Sequence, residues 1–125
     1  VLVETCPAEG TARYDDMQAN LEAIRNATDS AGRRLQVETI EEAYEADRRS
    51  DIFACSYINY YIANGAIIMP SFGIDRDADA RERMAGLYPD REIVQVGISD
   101  IAIGGGGIHC ITQQQPCSNQ SESRG

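Results

Sequence analysis

The feature that most constrains this chain is a run of four glycines at residues 104–107, followed by the sequence IHCI at residues 108–111. Glycine loses more conformational entropy on folding than any other residue, so four in succession are costly inside an ordered domain. Such a run is tolerated where the backbone needs unusual dihedral angles or where another group must approach it closely. The apolar residues after it predict a short strand that holds Cys110 on a rigid element beside an open loop. This is a favourable position for a nucleophile.

Three other interpretations compete with a nucleophilic cysteine. A phosphate-binding loop is disfavoured because its glycines precede Lys-Ser/Thr and a helix. A dyad formed by His109 and Cys110 is disfavoured because successive side chains of a strand point to opposite faces. The third is a tight turn followed by a buried, inert cysteine, because free cysteine is among the most buried residue types. The residues alone leave a reactive and a structural Cys110 both open.

Composition limits the class of protein. The 125 residues suffice for one domain, and 42% hydrophobic with 25% charged residues is ordinary for a globular chain. We find no apolar run of membrane-spanning length and no signal-peptide pattern, so we expect a soluble, cytoplasmic protein that binds no membrane. The net charge of −9 disfavours nucleic acid as a partner. It would steer a cationic substrate, although a solubilising acidic surface is the simpler explanation.

Four cysteines raise the questions of disulfides and metal. Nothing indicates a secretory context, which disulfides would require. The cysteine spacings match no zinc pattern, and one histidine leaves few nitrogen ligands. We therefore expect no metal and no cofactor. The cysteines are Cys6, Cys55, Cys110 and Cys117.

The first part of the chain has the pattern strand, helix, strand. Apolar residues recur at steps of three and four from residue 13 to about 28, which is typical of an amphipathic helix. Strands are predicted on either side of it, at residues 1–6 and 35–40. Residues 41–51 are charged, and the simplest interpretation of their acidic side chains is a solvated surface. A guanidinium-binding role is the alternative for Glu41, Glu42, Glu45 and Asp47.

The second part has the pattern hairpin, helix, strand. Asn64-Gly65 predicts a type I′ turn between strands at residues 56–63 and 66–70. Asn59 would then lie on a mostly aromatic face, as a hydrogen-bonded core amide or, less simply, as a substrate contact. Asp77 is predicted to cap a helix that runs to about Tyr88. A strand at residues 91–98 follows. Together these patterns predict an α/β domain at residues 1–116 and a polar, disordered tail at residues 117–125.

Residues 104–116 read GGGGIHCITQQQP, which closely resembles the C-terminal signature of the agmatine deiminases. These enzymes belong to the guanidino-group-modifying (pentein) superfamily. Residues 56–65 (SYINYYIANG), residues 70–73 (PSFG) and residues 1–4 (VLVE) agree with the same family. The resemblance implies a partial pentein, an α/β propeller of which this chain holds about two ββαβ modules.

The resemblance also implies a reaction. Cys110 would be the catalytic nucleophile, with Gly106, Gly107 and Asn59 binding substrate. The substrate would be agmatine, a small cationic guanidino compound, and the products N-carbamoylputrescine and ammonia, a step of putrescine and polyamine biosynthesis. A relative of peptidylarginine or arginine deiminase type is an alternative, because residues that contact the substrate tail lie mostly outside this chain.

In that family the base histidine lies upstream of the strand that matches residues 1–4, and the guanidinium-binding acids lie further upstream. A chain that begins within a strand looks cut, so we expect this one to be inactive or very weak alone. We expect the uncovered sheet edges to produce a homo-oligomer. A non-catalytic α/β protein that self-associates or binds a partner is the other alternative.

Overall fold

The computed structural model describes residues 1–117 as two small sheets flanked by helices, which confirms the mixed α/β class. Of the predicted tail, residues 118–125 lie outside the described part, and Cys117 is exposed. A single 3₁₀ turn, called the Cys110 turn below, occupies His109–Ile111. The elements before it are β1 (Leu2–Thr5), α1 (Ala12–Asn26), β2 (Glu38–Glu41), β3 (Tyr61–Ala63), β4 (Ala66–Ser71), α2 (Arg76–Leu87), β5 (Glu92–Gly97) and α3 (Ser99–Ala102).

The first sheet is a parallel pair connected by a helix. β1 pairs with β2 in a register that places Leu2 opposite Glu38. The predicted helix between them is confirmed: Thr11 caps it, its hydroxyl accepting from the backbone N–H of Tyr14 at 3.2 Å. Leu21 is the buried residue of its apolar face. β2 begins at Glu38 and not at residue 35 as predicted, because only residues 38–41 align with the short β1.

The second sheet has the order β3–β4–β5. β3 and β4 form the predicted antiparallel hairpin around Asn64-Gly65, and α2 connects β4 to the parallel strand β5. Gly65 has a φ of +75°, whereas no non-glycine residue of the described part has a positive φ. The predicted type I′ turn is therefore wrong, because it requires a positive φ at both central residues.

The start of α2 also differs from the prediction. The helix begins at Arg76, and Asp77 lies inside its first turn and not at the cap. The Asp77 carboxylate nevertheless accepts three backbone N–H groups of the preceding loop, from Phe72 at 3.1 Å, Gly73 at 2.8 Å and Ile74 at 3.0 Å. It thus organises the loop between β4 and α2.

One hydrophobic core joins both sheets and α2. Ile40 of β2 lies in the same cluster as Met69 of β4, Met84 of α2 and Ile93 of β5. Tyr57, which precedes β3, is fully buried and meets the Phe72 ring edge-on with a centroid distance of 5.5 Å. Because the buried Tyr57 lies two residues before Asn59, the core fixes the segment that leads to Asn59.

Candidate active site

The glycine run forms a loop that other parts of the chain approach closely. Gly105 has a φ of +86°, and a Cβ there would lie 3.2 Å from the carbonyl oxygen of Ile52. A Cβ on Gly107 would lie 2.9 Å from Cγ of Asn59, and one on Gly106 would lie 3.2 Å from Cβ of Cys110. Both reasons inferred from the sequence, an unusual dihedral angle and close approach, are therefore present in this loop.

The predicted strand after the glycines is wrong, because residues 109–111 form the Cys110 turn. Backbone N–H groups of the turn bond within it and to Asn59 instead of to a neighbouring strand: Thr112 donates to the His109 carbonyl at 3.2 Å, and His109 donates to Asn59. Ile108 is buried and anchors the turn in the core. Since His109 and Cys110 are both exposed, the strand alternation used against a dyad of these two residues does not apply.

Asn59 holds the Cys110 turn with its side chain and its backbone. Its Oδ1 accepts the backbone N–H of His109 at 2.8 Å and that of Cys110 at 3.3 Å. Its Nδ2 lies 3.0 Å from the sulfur of Cys110 and donates to it. Its carbonyl oxygen accepts the N–H of His109 at 3.3 Å. The sequence predicted Asn59 on a mostly aromatic strand face. In the structure it lies neither on a strand face nor in the aromatic core.

These contacts favour the thiolate of Cys110. Two hydrogen bonds lower the pKa of Cys110 below the usual value for a thiol. The larger effect comes from the Asn59 side chain and the smaller from the backbone of Gly107. Donors aimed at the charged form of an acid stabilise that form. A low-pKa, exposed cysteine is the chemical profile of a reactive thiol, and the buried, inert alternative is wrong because Cys110 is exposed.

The segment that carries Asn59 is fixed to the fold by two carboxylates. The backbone N–H of Tyr57 donates to the Glu4 carboxylate at 2.8 Å, and the Tyr57 hydroxyl donates to Asp77 at 2.7 Å. Residues 56–60 therefore form side-chain contacts in place of the predicted strand, since strand β3 begins only at Tyr61. The predicted alternation of faces over residues 57–61 fails for this reason.

Glu4 predicts a pH dependence of stability. Burial raises the pKa of its carboxyl to about 7, despite hydrogen bonds from residues 56–58. Because the pKa of Glu4 is higher in the folded state than in the unfolded chain, stability is greatest at pH values below the unfolded-state pKa. It falls as pH rises towards 7. Glu4→Gln should therefore be more stable than the parent by on the order of 2 kcal/mol above pH 7, and nearly equal to it near pH 4.5.

Urea unfolding of Glu4→Gln across pH 4.5–8.5 measures this difference directly. Glu9→Gln, in the exposed loop after β1, is the matched control and should follow the parent at every pH. A difference between Glu4→Gln and the parent that does not change with pH would contradict the prediction.

The sequence predicted a solvated surface for the charged stretch at residues 41–51. Part of this stretch is buried instead. Glu42 is fully buried. Nε of Arg13, in α1, donates to both oxygens of the Glu42 carboxylate, at 2.6 Å and 2.9 Å. Burial raises the pKa of Glu42, but hydrogen bonds from Arg13, Cys55 and Cys6 outweigh it, and the pKa lies below its usual value. The guanidinium that Glu42 binds is therefore the side chain of Arg13 in the same chain.

The sequence-predicted site residues Cys110, Gly106, Gly107 and Asn59 lie together, although substrate binding by the last three stays a prediction. The sequence did not reveal the contact between Asn59 and the sulfur, nor the support from Glu4. The glycine at position 107 was the available signal, since it marks a close approach. Within residues 1–117, no group of three or more His, Cys, Asp or Glu side chains could hold a metal ion. None of the helices there is long and apolar enough to cross a membrane.

Comparison with known proteins identifies the family. Residues 1–116 match the family model described as Porphyromonas-type peptidyl-arginine deiminase. The chain belongs to this family. The resemblance to agmatine deiminases is confirmed as well. A Legionella pneumophila protein whose name assigns it to the agmatine deiminases is 39% identical over 108 residues, which cover 86% of this chain and 31% of that protein. A Listeria monocytogenes protein with a similar name is 40% identical and is covered over 35% of its length.

Solved structures of this family agree with the fold. The agmatine deiminase of Enterococcus faecalis superimposes with a TM-score of 0.84 at 27% identity, over 92% of this chain and 36% of that one. A structure assigned as an arginine deiminase of Porphyromonas gingivalis gives a TM-score of 0.78 at 25% identity, over 92% of this chain and 34% of that one. The chain thus spans about a third of the length of the relatives that it matches.

Proposed function

We propose that Cys110 is the nucleophile of a deiminase that hydrolyses the guanidinium group of agmatine to N-carbamoylputrescine and ammonia. The observation that carries this proposal is the exposed Cys110 thiol, bonded by Asn59 at 3.0 Å, in a chain of the peptidyl-arginine deiminase family. Agmatine is preferred to a peptidyl-arginine because the relatives with 39% and 40% identity are both named for agmatine.

The reaction suits a thiolate. The guanidinium carbon is a poor electrophile, and attack by the Cys110 sulfur forms a C–S bond while one C–N bond breaks. The departing amine takes a proton from a general acid and leaves as ammonia. Water, deprotonated by the same group, then forms a C–O bond as the C–S bond breaks, which returns the thiolate and releases N-carbamoylputrescine. The residues of this chain hold the sulfur in place and keep it ionised.

We propose that the general acid–base and the guanidinium-binding carboxylates come from outside the 125 residues, as the resemblance to the agmatine deiminases implies. The one histidine of the chain is His109, which lies inside the cysteine motif, and the buried carboxylate of Glu42 is engaged by Arg13. We therefore propose that the chain alone turns over agmatine poorly. We also propose that the complete protein has the pentein propeller fold; the connectivity β3–β4–α2–β5, one ββαβ unit, supports this.

Chemical rescue tests the proposed function in the chain as it stands. Imidazole in solution can replace a missing histidine as general acid and base. We expect agmatine hydrolysis that requires imidazole and that falls at least about a hundredfold in Cys110→Ala, because the nucleophile is lost. Ammonia and N-carbamoylputrescine are the products to measure. Mass spectrometry of an acid-quenched sample should find agmatine minus ammonia on Cys110.

The second exposed thiol provides the control. Cys117→Ser should hydrolyse agmatine as fast as the parent, since Cys117 lies outside the Cys110 turn. Equal hydrolysis by Cys110→Ala, or an adduct on Cys117 in place of Cys110, would reject the proposed function.

A further inference from the structure

Glu4 is a titratable side chain that the proposed reaction does not use. It lies on β1, partly buried, where the register pairs it with Ile40 of β2. Within residues 1–117, the ion pairs of the protein do not include Glu4. A carboxylate that is removed from water without a cation destabilises a fold, because its charged form loses hydration. A glutamine would avoid this loss, so stability does not explain the carboxylate.

The Glu4 carboxylate accepts hydrogen bonds that a neighbouring strand would accept in a regular sheet. The backbone N–H of Tyr57 donates to it at 2.8 Å, and the Ser56 hydroxyl and the backbone N–H of Ile58 also bond it. In the described part of the chain, neither of these two N–H groups has a backbone acceptor. An ionised carboxylate accepts through both oxygens, whereas a glutamine or a protonated carboxyl accepts fewer donors. Only the ionised form of Glu4 can hold all three.

The residues that Glu4 holds lead directly to the cysteine. Asn59 follows Ile58, and its carbonyl oxygen and Oδ1 accept the N–H of His109. Its Nδ2 donates to the sulfur of Cys110 at 3.0 Å. Because strand pairing begins only at Tyr61, the hydrogen bonds to Glu4 set the backbone path that enters Asn59.

We propose that Glu4 is a positioning residue for Cys110, whose carboxylate holds residues 56–58 so that the Asn59 amide stays against the cysteine sulfur. The inference rests on the proposed function only in taking Cys110 as the nucleophile. Glu4 acts through Asn59 and not on the sulfur itself. The destabilising charge is then explained by the geometry that it maintains.

The groups around Glu4 make this support depend on pH. Glu42 is the charged side chain that acts on Glu4, and burial together with that charge raises the pKa of Glu4 to about 7. The groups bonded to or paired with Glu42 are Arg13, Arg48, Cys6 and Cys55. As pH falls through about 7, Glu4 takes up a proton and can no longer accept all three donors. The hold on Asn59 should therefore weaken towards acid pH.

The test is the pH profile of Cys110 alkylation by iodoacetamide in a Cys117→Ser background, which leaves Cys110 as the exposed thiol of the described residues. Alkylation follows the thiolate fraction, so its inflection reports the ionisation of the sulfur. Glu4→Gln should raise this inflection by about one pH unit, which slows alkylation below it by about tenfold. The parent should show an additional step near pH 7, as Glu4 ionises, and Glu4→Gln should not. Glu9→Gln, in the exposed loop after β1, should keep the parent profile.

The direction of the shift separates positioning from a direct effect of charge. Removal of a negative charge near a thiol lowers the pKa of that thiol. A lowered inflection in Glu4→Gln, or a profile equal to that of the parent, would therefore overturn the inference. Urea unfolding of the same samples is the second readout. Slower alkylation in a variant at least as stable as the parent above pH 7 supports a local role, whereas slower alkylation that accompanies a loss of stability would overturn it.

A second pair of variants keeps the inference testable if Glu4→Gln does not fold. Ser56→Ala removes one of the three donors to Glu4 and should raise the inflection by a smaller amount. Ser30→Ala, in the exposed turn after α1, should not. In that case, equal profiles for these two would overturn the inference. No agmatine is used in these measurements, so a shifted inflection beside equal hydrolysis in Cys110→Ala would reject the deiminase proposal and leave the role of Glu4 supported.

Discussion

Asp77→Ala should lower the free energy of unfolding by about 3–5 kcal/mol, because several hydrogen bonds to one carboxylate are lost together. The carboxylate accepts the Tyr57 hydroxyl at 2.7 Å and the backbone N–H groups of Phe72, Gly73 and Ile74. Tyr57 is fully buried, so its hydroxyl would have no route to water after the substitution. Each buried polar group left without a partner costs about 1–3 kcal/mol.

Urea unfolding followed by circular dichroism measures the loss. Asp79→Ala is the matched control, since Asp79 lies in the first turn of the same helix and is exposed; its change should stay within about 0.5 kcal/mol. Asp77→Asn retains one side-chain oxygen and should lose about half as much as Asp77→Ala. A change in Asp77→Ala no larger than that of the control would show that the loop and Tyr57 find other partners.

Arg13→Ala should lower the free energy of unfolding by about 2–4 kcal/mol at pH 7, because it leaves a buried carboxylate without its guanidinium. The value lies below that of a fully buried pair because the Arg13 side chain is 44% exposed, whereas Glu42 is inaccessible to solvent. Arg48, at 3.9 Å from Glu42, remains to offset part of the charge. The loss should shrink as pH falls towards 4, because the uncompensated Glu42 then takes up a proton.

The sign follows from the parent protein. The pKa of Glu42 lies below its usual value in the fold, so its contribution is present above the unfolded pKa and is lost as pH falls through the folded one. Arg25→Ala, on the exposed side of α1, controls for the loss of an arginine and should change stability by no more than about 0.5 kcal/mol. The double variant Arg13→Ala/Glu42→Gln should recover most of the loss; no recovery would mean that the charge of Glu42 is not the cause.

The parts of the fold that the sequence predicted well are those specified by neighbouring residues. The amphipathic helix α1 is confirmed, as are the helix predicted after Asp77, observed at Arg76–Leu87, and the strand predicted at residues 91–98, observed at Glu92–Gly97. Each is a local pattern with one buried face. The Asn64-Gly65 hairpin is confirmed for the same reason, although its turn type is not.

The parts that were wrong are stretches whose backbone groups bond to side chains distant in sequence. Residues 56–60 and 108–111 have the apolar, β-branched composition of strands, yet Glu4, Asp77 and Asn59 satisfy their polar groups instead. Composition cannot distinguish these outcomes, because the same residue types occur in both and only distant side chains decide which hydrogen bonds form.

The charged residues show the same limit. Glu42 lies in a run that is typical of a solvated surface. Its ion pair with Arg13, 29 residues away, offsets the cost of burying its charge. The pKa of Glu4, raised to about 7, has the same origin, because the burial that raises it arises only when the chain is folded.

By itself the sequence determined the family, through the motif at residues 104–116, and the resemblance carried by that motif named Cys110 as the candidate nucleophile. Only the tertiary structure decided which groups bond the sulfur of that cysteine. The hydrogen bond from Asn59 to its sulfur spans 51 residues and depends on a glycine at position 107 that leaves room for the amide. Such a contact is set by the packing of the whole core, which no local pattern encodes.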